Sequence, residues 1–277
     1  MERRVVPESM RLLAFLRAEL PQWKRSTLEQ RIRAGAVSVN GRRWTRNDFV
    51  SAGDEVVVVG AELARVAKGP PAGIKILFED DALVAIDKPA GLLAVSNDDE
   101  KERTALALLR EHLSTARAAV RLWPVHRIDR ETSGVLLFAK SDEARERVQA
   151  EWSSCRKLYL ALVEGHPSPP NGVIDQPLWE DQSLFVRVGA HPDAKPARTR
   201  YTTREERGRN TLLEVELDTG RRHQIRAHLS SIGHPIVGDP RYGTKAARMA
   251  LHAWRLVVPH PFEPHELELE APPRGRV

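Results

Sequence analysis

At 277 residues, with 41% hydrophobic and 29% charged residues of mixed sign, the chain is long enough to bury a sizeable core, and its composition excludes global disorder. A formal net charge of +5 favours an acidic partner, and the single cysteine, Cys155, excludes an internal disulfide and a paired-cysteine metal site. No stretch approaches the roughly 20 apolar residues that span a bilayer, and the charged N-terminus does not read as a signal peptide, so a cytoplasmic, reduced setting without membrane contact is expected.

The first predicted element is an amphipathic helix over residues 10–20, where Leu12, Leu13, Phe15, Leu16 and Leu20 recur at helical spacing and Pro21 ends the run. A second helix is expected to start at Ser26, whose spacing to Glu29 fits a capping box. Leu28 and Ile32 face its core, and Gly35 ends it. A short strand, Ala36 to Val39, an Asn40-Gly41 turn and a strand from Asp54 to Val59 follow. Residues 1–60 hold eleven Lys/Arg against seven Asp/Glu, four of the five net charges. Lys24, Arg25, Arg31, Arg33, Arg42, Arg43 and Arg46 cluster there against one acid, Glu29, so this segment is where phosphate is expected to bind.

Residues 61–73 read as a linker, broken by Pro70, Pro71 and Gly73. Beyond it, strand-like and helix-like segments alternate. Strands are predicted at 74–79, 83–88, 135–140, 158–164, 199–203 and 211–217, and helices at 104–113, 141–152 and 224–232. Several neighbouring strands in mixed order favour an α+β fold with a largely antiparallel central sheet. The Pro- and charge-rich segment 166–197 reads as a surface insertion.

Three motifs carry the chemistry. The run His126-Arg127-Ile128-Asp129-Arg130-Glu131-Thr132-Ser133-Gly134 resembles the signature of the RluA-type RNA pseudouridine synthases, with Ile128 in place of the usual Leu. The second, Lys157 to Gly165, resembles the family's Lys-x-Tyr-x-Ala-x-Val-x-Gly strand. The third, Thr219-Gly220-Arg221-Arg222-His223-Gln224-Ile225-Arg226-Ala227-His228, resembles its Thr-Gly-Arg-x-His-Gln-Ile-Arg-x-His stretch. Two flanking segments, Leu83 to Leu92 with its Lys88-Pro89-Ala90-Gly91 turn and His234 to Gly243 with Gly238-Asp239, are similar to segments of the same family. Residues 1–60, with Arg33-Ala34-Gly35-Ala36-Val37-Ser38-Val39-Asn40-Gly41 as the most telling piece, resemble the alpha-L, or S-four-type, RNA-binding module.

The resemblance implies a three-part chain: an RNA-binding domain over 1–60, a linker over 61–73 and a catalytic domain over 74–277. It makes Asp129 the catalytic carboxylate, Tyr159 the active-site tyrosine and Arg226 the arginine that pairs with Asp129. Arg127 takes the place of the residue that occupies the space left by a flipped base. Uridine isomerisation must break the glycosidic bond, rotate the base and join C5 to the sugar. One carboxylate suffices as nucleophile or electrostatic stabiliser, whereas a glycosidase places two to activate water. Whether Asp129 attacks the base, attacks the sugar or removes a sugar proton stays open. Tyr159 can stack on the uracil, and its hydroxyl is a candidate for proton handling at C5. An arginine at contact holds a carboxylate ionised and can grip it with two parallel bonds.

Arg221, His223 and Gln224 are assigned structural or RNA contacts, and Arg222 and Arg130 no role. His223, His228 and His234 lack metal-ligand spacing, and no glycine-rich phosphate loop appears, so neither metal nor organic cofactor is expected. RNA is the expected partner, ribosomal RNA by default and transfer RNA as the alternative, for a monomeric protein. A non-catalytic RNA-binding protein and a nucleosidase are the competing readings.

Overall fold

The computed structural model describes residues 2–21, 23, 25–33, 37–43, 48–58, 73–96, 104–114 and 119–273. Lys24, Gly35, Arg46 and linker positions 61–72 lie outside the described residues, as do the side chains of Ser26, Arg33, Arg42 and Arg43. The chain divides into two compact units, Met1–Ala72 with Leu109–Val120, and Gly73–Leu108 with Arg121–Val277.

In the first unit, β1 (Glu2–Val5), β6 (Glu55–Val58), β3 (Val37–Val39) and β4 (Arg42–Arg43) form an antiparallel sheet in that order. A separate pair joins β2 (Met10–Arg11) to β5 (Phe49–Val50). Helix α1 (Leu12–Glu19) buries Leu12, Phe15 and Leu16, and α2 (Arg25–Arg33) adds Leu28 and Ile32 to the same core, with Val37, Val39, Val56 and Val58 from the strands. Each such buried apolar side chain contributes about 1.5–3 kcal/mol. Asn40 and Gly41 both take left-handed backbone, at φ 50° and 78°, which a tight turn matching the strand twist requires.

Two expectations shift here, and one strand appears that the sequence did not signal. Residues 10–11 pair as a strand, so the first helix starts at Leu12. Helix α2 starts at Arg25, so Ser26 lies within its first turn, and the Glu29 carboxylate accepts from Arg25 Nε at 3.0 Å. β1 was invisible as a strand because Glu-Arg-Arg-Val has no alternating apolar pattern; it forms by pairing along β6.

The second unit is built on a ten-stranded sheet with main order β12-β15-β16-β11-β17-β10-β8-β7. The strands are β7 (Lys75–Glu79), β8 (Leu83–Lys88), β10 (Ser133–Ala139), β11 (Arg156–Glu164), β12 (Asn171–Asp175), β15 (Arg198–Arg207), β16 (Asn210–Leu217) and β17 (Leu251–Pro259). β9 (Trp123–Pro124) pairs with β10, and β18 (Glu266–Glu270) with β17. Among the described strands of this sheet, β10 and β17 alone pair in parallel, so the sheet is mixed and largely antiparallel, and the fold is α+β. Helix α3 (Ala105–Leu113) contributes Ala105–Leu108 to this unit, and its remaining residues belong to the first; α4 spans Asp142–Ala150 and α5 Gln224–Ser231. Ser141 caps α4, its Oγ accepting from the Ala144 N–H at 3.1 Å, and Asp142 and Glu143 favour the positive end of that helix. Every residue of β8 is buried, so this strand reads as a continuous core segment.

The segment 166–197 is part of this fold rather than an insertion. β12 is the edge strand of the main sheet, and β13 (Leu178–Glu180) and β14 (Val186–Val188) form a hairpin whose Leu178 and Val186 pack with Ala197 and Ala227. Its short apolar runs lie between prolines and charges, which hid the pairing. Among the described residues, no helix is long and apolar enough to cross a membrane.

Candidate active site

The loop that carries Asp129 runs from β9 to β10 and is fixed at both ends. Gly134, the second residue of β10, lies directly beside Ala253 of β17, with φ +113°, and a Cβ there would sit 2.1 Å from the Ala253 carbonyl oxygen. Only glycine allows that approach. Ser133 Oγ and His252 Nδ1 lie 2.9 Å apart, and His252 Nε2 donates to the Ala271 carbonyl at 2.7 Å. On the other flank, His126 Nε2 accepts the Leu137 N–H at 3.1 Å, and its ring stacks on Trp152. Burial pushes the His126 pKa down to about 4, and the nearby Lys157 charge acts in the same direction.

Lys88 holds the middle of the loop. Its fully buried ammonium donates to the carbonyls of Pro89 at 2.9 Å, Leu92 at 2.8 Å and Arg130 at 3.1 Å. The Arg130 carbonyl also accepts the Gly91 N–H at 2.8 Å. Burial lowers the Lys88 pKa to about 7, opposed by the charges of Glu131, Asp129 and Asp87. The Lys-Pro-x-Gly turn is thus a clamp on the backbone of the central motif.

Arg226 stands on α5 with its side chain 2% exposed. Its Nη1 donates to Asp129 Oδ2 at 2.9 Å. The two-bond grip expected for that pair goes instead to Asp239, with Nε to Oδ2 at 2.7 Å and Nη2 to Oδ1 at 2.9 Å. Asp239 is fully buried and also accepts the backbone N–H groups of Arg241 and Tyr242 at 2.9 and 3.2 Å. Burial would raise its pKa, but these bonds and the guanidinium hold it below the usual carboxylate range. Arg226 stays protonated, because Asp239 and Asp129 outweigh the cost of burying its charge. The Tyr242 ring lies under the guanidinium, its centroid 5.3 Å from Cζ.

Two adjoining cavities flank Asp129. One of about 400 Å³ is lined by Arg127, Asp129, Arg222, His223 and Arg226 among others. A smaller one of about 60 Å³ brings Tyr159 and Thr132 to Asp129 and Arg127. Tyr159 projects from β11, and its hydroxyl pKa is pushed up by burial and by the Asp129 charge, so it stays protonated. Arg127 is exposed at the cavity mouth. Arg222 pairs with Glu180 of β13 at 2.5 Å. Asp129, Arg226, Tyr159 and Arg127 therefore converge.

Other predicted residues lie elsewhere. Gln224 bonds to Thr219, the Arg221 N–H, the Arg198 carbonyl and Thr199, which is a structural role. His228 is held between Thr199 and the Gln176 carbonyl, and His234 against the Glu164 carbonyl, so the three spaced histidines share no centre. Among the described residues, no group of three metal-ligating side chains assembles. In the first unit, Arg25 pairs with Glu29, and the Arg31 guanidinium lies 3.7 Å from the Trp23 ring centroid. Asp239, Lys88 and Tyr242 carry no expected role in the sequence motifs. The signal available was an acid and a tyrosine behind Gly238, itself at φ +80°.

The chain matches the RNA pseudouridylate synthase family over residues 82–231 and the S4 domain over residues 10–56. Ribosomal large subunit pseudouridine synthase D of Nitrosomonas europaea is 37% identical, the match covering 96% of this chain and 83% of that protein. Ribosomal large subunit pseudouridine synthase C of Vibrio cholerae is 36% identical, covering 93% and 88%. Among solved structures, human RNA pseudouridylate synthase domain containing 4 superposes with a TM-score of 0.61 at 27% identity, over 72% of this chain and 88% of that one. Human RNA pseudouridylate synthase domain containing 1 has the same fold, with a TM-score of 0.62 at 23% identity over 74% and 86%. With the signature loop, the buried Arg226 and the mixed sheet in place, the chain belongs to the RNA pseudouridylate synthase family, isomerases of uridine in RNA, and carries an S4 domain ahead of the synthase region.

Proposed function

We propose that the chain converts a uridine of ribosomal RNA to pseudouridine, with Asp129 as the reacting carboxylate. The carrying observation is the bond from the buried Arg226 to Asp129 at 2.9 Å, on the wall of an open cavity. Arg226 sets its positive charge against the carboxylate and aims it. Arg127, exposed at the cavity mouth, takes the space of the base that swings out. The Tyr159 ring offers a face to the uracil; its raised pKa favours that stacking role over a role as base. The glycosidic bond breaks, the base turns, C5 joins the sugar, C5 loses a proton and N1 gains one. No water enters the product, and no electron is gained or lost, so the scheme needs neither metal nor organic cofactor. The names of the relatives above favour ribosomal RNA as substrate.

In the same reading, Lys24, Arg25, Arg31, Arg33, Arg42 and Arg43 bring RNA to the enzyme by phosphate contacts. Residues 1–60 act as the RNA-binding domain and 74–277 as the catalytic domain, joined by 61–73, in a cytoplasmic monomer. The test is to map pseudouridines in cellular RNA with and without the gene, and with Asp129→Ala in its place. The expected result is loss of one or a few pseudouridines in ribosomal RNA. Sites in transfer RNA alone refute the ribosomal assignment. Pseudouridine formation that survives Asp129→Ala refutes Asp129. That variant keeps the Arg226–Asp239 pair, so it is expected to remain folded.

A further inference from the structure

We propose that His223 is a hydrogen-bond donor to the uracil ring, with its Nε2–H set by Tyr242 and directed at the charge the base acquires as its bond to the sugar breaks. This rests on the synthase reading above. His223 precedes α5 with left-handed backbone, φ 51° and ψ 20°. A non-glycine residue there is conformationally strained, and such residues gather at working sites. The conformation brings the imidazole, 9% exposed, to the walls of both cavities beside Asp129, with Nε2 3.8 Å from Asp129 Oδ2.

The hydrogen-bond chain and the Asp129 carboxylate together favour one tautomer. Tyr242 Oη accepts the Val186 N–H at 3.2 Å. Its single proton can go to His223 Nδ1 at 3.1 Å or to the Val186 carbonyl at 3.3 Å. A carboxylate facing Nε2 favours a proton on that nitrogen, which leaves Nδ1 as the acceptor of the tyrosine proton. At 3.8 Å the Nε2–H is too far from Asp129 for a hydrogen bond, so it is available to a ligand that enters between them. Burial pushes the imidazole pKa down to about 4, aided by Arg226, Arg222 and Arg241 and opposed by Asp129, so the ring is a neutral donor at neutral pH.

When the C1′–N1 bond breaks, its electron pair stays with the base and spreads from N1 onto the two ring carbonyl oxygens. A fixed donor at one of those oxygens stabilises the departing anion more than the intact nucleoside, which lowers the barrier. No proton leaves His223 in this step. Because Tyr242 is tied to Val186, the β13–β14 hairpin helps to hold the donor.

The test uses the full chain and a short RNA carrying a uridine it modifies, with either O2 or O4 replaced by sulfur, a poor acceptor. His223→Leu is expected to lower kcat by about 100-fold with a smaller change in KM. His223→Gln, whose amide nitrogen can reach the Nε2 position, is expected to recover part of it. The wild type is expected to slow on one of the two thio-substituted RNAs, and His223→Leu to treat both like the oxygen parent. Unchanged kcat in His223→Leu overturns the inference, and so does the same sulfur penalty in variant and wild type. Should His223→Leu not fold, nitrogen NMR of the wild-type imidazole decides: the Nε2–H tautomer is expected, and an Nδ1–H tautomer overturns it. A wild-type protein that makes no pseudouridine, or an active Asp129→Ala, removes the underlying reading instead.

Discussion

Two arginine–carboxylate pairs, one in each unit, have the same chemistry and different surroundings. Arg25 meets Glu29 at 3.0 Å on the face of α2 with its side chain 66% exposed. Arg226 meets Asp239 at 2.7 Å with exposures of 2% and 0%. Water and salt screen the first pair, which is worth about 0.3–0.5 kcal/mol as a helical i,i+4 contact. The second sits in low dielectric, where removing one partner strands the other and costs about 3–5 kcal/mol. An exposed arginine can leave its carboxylate for a phosphate at little cost. A buried one cannot, and so it can aim a reacting group.

Arg226→Met is the strongest way to break this contrast. It leaves Asp239 buried without its counter-charge and Asp129 without a guide. The expected loss is about 3–5 kcal/mol in urea unfolding, with turnover reduced far more than RNA binding. A variant as stable as Arg25→Ala would show that burial does not set the difference. Asp239→Asn is milder, because the amide keeps some hydrogen bonds while the charge goes. About 1–3 kcal/mol and a fall in kcat at unchanged RNA affinity are expected.

The contrast also marks what the sequence makes legible. Asp129, Tyr159 and Arg226 stand in local motifs whose spacing and residue types survive without the fold. The α1 and α2 cores were visible because Leu12, Phe15, Leu16, Leu28 and Ile32 follow a helical period. Asp239 was not assigned, because its partner lies 13 residues away on a helix and only folding brings the two together. Lys88 bonds to a carbonyl 42 residues distant, and a backbone acceptor leaves no residue-type signature. The β13–β14 hairpin was hidden for a similar reason: two three-residue strands, one with Trp-Glu and one with an Arg, carry too little alternation to register.

A smaller effect separates the two regions by pH. Residues 1–60 contain no histidine and the first unit as a whole has one, His112, whereas His126 and His223 are held neutral in the second unit with pKa values near 4. In the unfolded chain both take a proton near pH 6.5. Between about 6.5 and 4 the unfolded state therefore binds more protons, and stability falls as pH drops through that window. Above 6.5 the contribution is fully present. Hydrogen exchange at pH 5.0 against 7.5, corrected for intrinsic rates, is expected to show weaker protection in β10 and α5 at the lower pH. His126→Phe is expected to shrink that difference, and equal protection at both pH values would contradict the neutral-histidine assignment.

Arg25→Ala carries the smallest stability effect and tests the other side of the comparison. It removes one screened pair, so the unfolding free energy is expected to change by no more than about 0.5 kcal/mol. As a proposed phosphate contact, it should weaken binding to the RNA substrate and reduce the slope of log affinity against log salt by about one. Turnover at saturating RNA should match the wild type, because nothing about Asp129 or Arg226 changes. An unaltered salt slope would remove Arg25 from the RNA surface while leaving its ion pair to Glu29 in place. A fall in saturated turnover would mean that α2 does more than hold phosphate, and the division between a screened binding surface and a dry catalytic pair would no longer hold.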